Sequence, residues 1–150
     1  PGAGNALVAY LGGSTFLFGG AAVGGDLAPA AVLFALAALA TLTREIVKDV
    51  EDAEGDAAEG LRTLPIAIGE RPALRVAAAL LAVAVVASPL PYVWGVFGLP
   101  YLALLVPADL LMLYAASESF ADPAAGQRHV KYGMFLAAAA FVVGRLALGA

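Results

Sequence analysis

From Val76 to Ala108 the chain carries no charged residue, and this run constrains the fold more than any other feature. At about 1.5 Å per residue it would form a helix of about 50 Å. A hydrocarbon core is only about 30 Å thick and is spanned by roughly 20 apolar residues. One crossing cannot hold the run, so it turns inside. Pro89, Pro91 and Pro100, with Gly95 and Gly98 between them, supply the break.

The rest of the chain agrees with lipid as the solvent. Hydrophobic residues make up 62% of it and charged residues 13%, whereas soluble domains average about 25% charged. The spacing predicts an all-α, multi-span transmembrane helix bundle with spans at about 5–23, 27–43, 72–90, 99–117 and 131–148. The second starts after Asp26, with Pro29 near its first turn. Arg44, Lys48, Arg62, Arg71 and Arg75 lie between the second and third spans, and Arg128 and Lys131 between the fourth and fifth. These are seven of the eight basic residues, so the positive-inside rule puts both loops in the cytoplasm of a multi-pass cell-membrane protein. No internal repeat or composition shift divides the chain. Pro1 stands where a methionine would open a gene product, and no charge precedes Asp26. The start therefore reads as a cut end rather than a signal peptide.

There is no cysteine, and His129 is the single histidine. Thiolate and multi-histidine sites are excluded, so any metal is held by oxygen. The net charge of −4 argues against a nucleic-acid partner.

The segment Arg44-Glu45-Ile46-Val47-Lys48-Asp49-Val50-Glu51-Asp52-Ala53-Glu54-Gly55-Asp56, followed by Ala57 to Pro65, departs from this apolar background. If the second helix continues beyond the membrane face, Glu45, Asp49, Asp52 and Asp56 fall within about 60° of one another. Like charges at such spacing repel unless a cation offsets them. Magnesium suits the site, because it takes one or two carboxylates and completes its shell with water and phosphate oxygens. Lys48 and Arg62 flank the acids and are candidates for holding a diphosphate. Gly55 and Gly60 are expected to let the backbone leave the helix there. A solvated acidic loop explains the composition equally well, but not the ordering of acids, bases and glycines.

The longer string REIVKDVEDAEGDAAEGLRTLPIAIG resembles the second aspartate-rich motif of the UbiA superfamily of intramembrane prenyltransferases, above all its archaeal digeranylgeranylglyceryl phosphate synthase branch. GNALVAYLGGSTFLFGGAAVG, SPLPYVWGVFG and YLALLVPADLLMLY resemble neighbouring spans, so the likeness covers nearly the whole chain. It implies a nine-helix prenyltransferase fold around a central cavity, of which this chain supplies the C-terminal part, about five helices. It also implies that Asp49, Asp52 and Asp56 bind Mg2+, with Asp52 and Asp56 essential to catalysis and Lys48 and Arg62 at the diphosphate. The first motif, of NDxxDxxxD type, is missing from these residues. It is expected in an N-terminal half, without which the present residues are inactive. The implied reaction moves a prenyl group, geranylgeranyl in the archaeal branch, from its diphosphate to a lipid-like acceptor, geranylgeranylglyceryl phosphate, in ether-lipid synthesis.

Alternatives are prenyl transfer to an aromatic quinone precursor or a tetrapyrrole, and a divalent-cation transporter. A CDP-alcohol phosphatidyltransferase is disfavoured, because GDAAEG stands where its DGxxAR-type opening belongs. Asp109 falls inside the fourth span, where an ionisable group is costly. Arg145 is its possible partner, although their Cα atoms lie at depths about 9 Å apart. A structural polar contact is the favoured reading. His129, Glu118 and Asp122 are expected to be solvated or rim residues, and Tyr10, Phe16 and Phe18 to pack on lipid or core.

Overall fold

The computed structural model describes residues 2–25 and 27–147. Among these there is no strand. The helices are α1 (Ala3–Ala22), α2 (Leu27–Glu51), α3 (Ala53–Ala58), α4 (Leu64–Ile68), α5 (Glu70–Ala87), α6 (Leu90–Val93), α7 (Leu99–Glu118) and α8 (Pro123–Leu146). Helices α1, α2, α5, α7 and α8 cover the five apolar stretches. Asp26 and the end of the fifth stretch at Leu148 lie outside the described residues. By length and composition, α2, α5 continuing through α6, and α7 are long and apolar enough to cross a membrane.

Helix α2 continues past the apolar stretch that ends near Thr43, as the acidic face requires, and runs to Glu51. Arg44, Glu45, Lys48 and Glu51 are good helix formers, and Ile46, Val47 and Val50 among them form an apolar face. That face is buried against Ala73, Leu74 and Ala77 of α5. Thr43 is buried at the same contact, where its hydroxyl lies 2.9 Å from the Leu39 carbonyl and 3.3 Å from that of Ala77.

The uncharged run breaks where its prolines fall. Helix α5 ends at Ala87, α6 carries Pro91 in its first turn, and Gly95 takes a positive φ of 71°. The Gly98 N–H then donates to the Gly144 carbonyl at 3.1 Å, fastening the turn to α8. Helix α7 keeps Pro107 inside it.

Helices α7 and α8 approach closely because α8 presents Gly126, Gly133 and Gly144 to its neighbour. A Cβ on Gly126 would collide with Ser119, one on Gly133 with Met112, and one on Gly144 would lie 2.6 Å from the Tyr101 Cβ. Lipid supplies no hydrophobic drive between helices, so close approach at small residues is how such pairs gain dispersion contact. Large apolar side chains face outward: Phe18 is 76% exposed and Val86 80%. That surface suits hydrocarbon or further helices rather than water.

Candidate active site

The α1–α2 hairpin closes at Val23 to Gly25, where the Gly25 N–H donates to the Gly20 carbonyl. The start of α1 therefore lies beside the end of α2. Across that junction Asn5 Nδ2 donates to Asp49 Oδ2 at 2.7 Å. Asp49 is half-buried, one residue beyond Lys48, whose ammonium lies 3.4 Å from Asp52 Oδ2. Asp52 sits in the junction between α2 and α3, yet its N–H still bonds Lys48 and its carbonyl accepts from the Asp56 N–H, each at 2.9 Å. The coil thus continues through a shallow break. Asp56 is half-buried, whereas Asp52, Lys48 and Arg62 are exposed.

Gly60, with a φ of 75°, turns the chain out of α3 as expected. Gly55 does not, because it lies inside α3 and does not share the positive φ. Arg44 pairs with its neighbour Glu45 at 2.8 Å, leaving its buried Nε without a partner among the described residues.

Among the described residues no three acidic or histidine side chains converge tightly enough to cage a metal. An oxygen-only array with at most a few carboxylates still fits magnesium, which prefers to keep water and phosphate oxygens in its shell. Asp49, Asp52 and Asp56 are the side chains that would hold it, with Lys48, paired to Asp52, and Arg62 exposed nearby.

Deeper in the bundle, a cavity of about 320 Å³ opens among α1, α2, α5, α7 and α8. Its walls include Phe16, Leu36, Leu105, Met112, Phe135 and Phe141, and its polar lining side chains are Thr41, Ser88 and Asp109. Thr41 lies two turns before Asp49, a rise of about 12 Å, so Asp49 stands beyond the apolar hollow on the helix that lines it, and Asp52 and Asp56 follow in the α3 segment. Phe16 packs edge-on to Phe141, with ring centroids 5.6 Å apart, and belongs to the cavity wall rather than to lipid-facing packing. Tyr10 rests against Phe34, and Phe18 points outward.

Asp109 is not paired with Arg145. Its Oδ2 lies 2.7 Å from the Ser88 hydroxyl, and the Tyr101 hydroxyl donates to the Ser88 carbonyl at 2.6 Å. The antiparallel seam explains this, since Gly144 faces Tyr101 and leaves Arg145 about two turns from Asp109. Arg145 instead lines a second hollow with Val96 and Phe97. Helix α5 has broken at Ser88, so its terminal carbonyl needs an outside donor, and Tyr101 provides it. At the acidic end of α7, Glu118 bonds His129 Nδ1 and accepts from the Tyr114 hydroxyl at 3.1 Å. Asp122 caps α8 by accepting from the Ala125 N–H at 2.9 Å. These three are partnered rim residues rather than merely solvated ones.

Sequence reasoning passed over Asn5, Ser88 and Tyr101. Asn5 left a signal, being the sole asparagine of the chain. Ser88 directly precedes the proline break, which marks it only in hindsight.

The fold is a bundle of apolar, membrane-type helices with an acidic helix end and an apolar hollow. The chain belongs to the UbiA prenyltransferase family, whose model matches residues 1–139. It is 66% identical to a digeranylgeranylglyceryl phosphate synthase of Natronomonas pharaonis, over 99% of this chain and 53% of that relative. It is 62% identical to the enzyme of the same name from Halobacterium salinarum, over 97% and 52%. A solved structure concerning a digeranylgeranylglyceryl phosphate synthase in membranes superposes with a TM-score of 0.88 at 39% identity, over 96% of this chain and 53% of that one. The chain thus spans about half the length of the relatives it matches, and its membrane-bundle fold is that of the family.

Proposed function

We propose that this chain forms the C-terminal, five-span part of a magnesium-dependent prenyltransferase. The enzyme moves a geranylgeranyl group from its diphosphate to geranylgeranylglyceryl phosphate. One observation carries the reading: Asp49 near the end of α2, followed by Asp52 and Asp56 in the α3 segment, lies about two turns beyond Thr41 in the wall of a mostly apolar cavity. A diphosphate held at the acids would leave its hydrocarbon tail beside that hollow. The seven basic residues favour a cytoplasmic acidic end.

Magnesium, when bound, neutralises the diphosphate and makes it a better leaving group. Asp49, Asp52 and Asp56 would hold that charge at the rim. Lys48 and Arg62 would meet phosphate oxygens, the arginine through its fork and the lysine as a point charge. Phe16, Leu105, Met112 and Phe141 line the hollow with apolar surface, which would disfavour water beside the developing allylic cation until the acceptor hydroxyl reaches it. An aspartate-rich segment in the N-terminal half would complete the acidic rim.

The test uses the purified full-length protein with geranylgeranyl diphosphate and a panel of acceptors: geranylgeranylglyceryl phosphate, a hydroxybenzoate and a tetrapyrrole. Magnesium-dependent product is expected with the glyceryl phosphate. Product with an aromatic acceptor alone would assign the chain to another activity of the same family.

A further inference from the structure

Resting on that reading of the acids, we propose that Asn5 is the positioning residue for Asp49. In this role it holds one carboxylate oxygen from α1 and leaves the other free to face the cation. The contact joins residues 44 positions apart, on two helices, at 2.7 Å in a part-buried setting. Elsewhere the α1–α2 interface is largely apolar, with Tyr10 edge-on to Phe34 and Gly13 against the Phe34 backbone and ring. An amide there is therefore a departure from the local pattern, and it is made by the sole asparagine in the chain.

The choice of an amide has a physical consequence. A lysine or arginine at this position would also orient the carboxylate, but it would neutralise the charge and compete with a metal. The neutral Asn5 donor fixes the side chain by a charge-assisted hydrogen bond and leaves the negative charge intact. Lys48, by contrast, already leans toward Asp52. Asp49 is thus the pre-oriented member of the set. Outer partners of this kind typically hold about 10–100-fold of metal affinity.

The experiment measures Mn2+ binding to the full-length protein by paramagnetic resonance of the free ion, alongside the magnesium concentration for half-maximal transfer. Asn5→Ala is expected to weaken Mn2+ binding about 10-fold and to raise the magnesium requirement in parallel. Asn5→Gln, which keeps the donor, is expected to recover part of both. Wild-type Mn2+ affinity in Asn5→Ala, with affinity lost in Asp49→Ala, would overturn the positioning role and leave the metal site standing. Unchanged affinity in Asp49→Ala would remove the metal reading and this inference together. Equal loss in Asn5→Ala and Asn5→Gln would mark a general packing role and overturn the inference as well.

Discussion

The α7–α8 seam and the α2–α4 end of the molecule are built on opposite principles. Along the seam, Gly126, Gly133 and Gly144 bring two helices so close that no Cβ fits without displacing Ser119, Met112 or Tyr101. At the acidic end, α3 buries no residue at all, and Asp52 and Lys48 are about half exposed. The seam is held mainly by packing, and its charged groups are engaged locally, Glu118 with His129 and Asp109 with Ser88. The α3 segment is poor in packing and keeps its charges available, although the adjoining turns of α2 bury Ile46, Val47 and Val50 against α5. Stability and chemistry are thus assigned to different places, and substitutions in the two regions should separate them.

The seam should break first. Gly133→Leu inserts a large side chain into Met112 and is expected to destabilise the bundle by about 3 kcal/mol or more, read as a lowered unfolding midpoint in detergent. Tyr101→Phe removes the donor from the buried Ser88 carbonyl. The expected cost is about 1–2 kcal/mol, measured in the same way. Ser88→Ala frees Asp109 of its hydroxyl partner, and interhelical bonds of this kind in membranes average about 0.6 kcal/mol. Lys48→Ala should leave the unfolding midpoint at wild type, since its exposed pair with Asp52 contributes little. It should instead raise KM for the prenyl diphosphate with a smaller change in kcat. A Lys48→Ala variant that melts early with an unaltered KM would blur the division between the two regions.

The features readable in the sequence were those set by local composition. The interruption between Ser88 and Pro100 located the break because Pro89, Pro91 and Pro100 fall close together with Gly95 and Gly98 between them, whereas the lone Pro107 is accommodated inside α7. The acidic string was visible because charge is rare in this chain. The continuation of α2 beyond its apolar stretch was implied by the acidic face, but what holds it was not legible, since Ile46, Val47 and Val50 find their partners only in α5. Asp109 was recognisable as out of place, but its partner depended on the stagger of α7 against α8, which the glycines set. Phe16 could be assigned to the cavity only once α1 and α8 were side by side. Asn5 and Asp49 are separated by a complete helical hairpin, so no local pattern connects them.

The most direct measurement compares prenyl transfer by the full-length protein with that of Asp52→Ala and Asp56→Ala, each with magnesium and with excess chelator. Wild-type transfer should vanish in chelator. Each variant should lose at least about 100-fold in rate while unfolding where the wild type does, because both side chains sit outside the packed core. Full transfer in either variant, or undiminished wild-type transfer in chelator, would contradict a metal-held diphosphate at the end of α2.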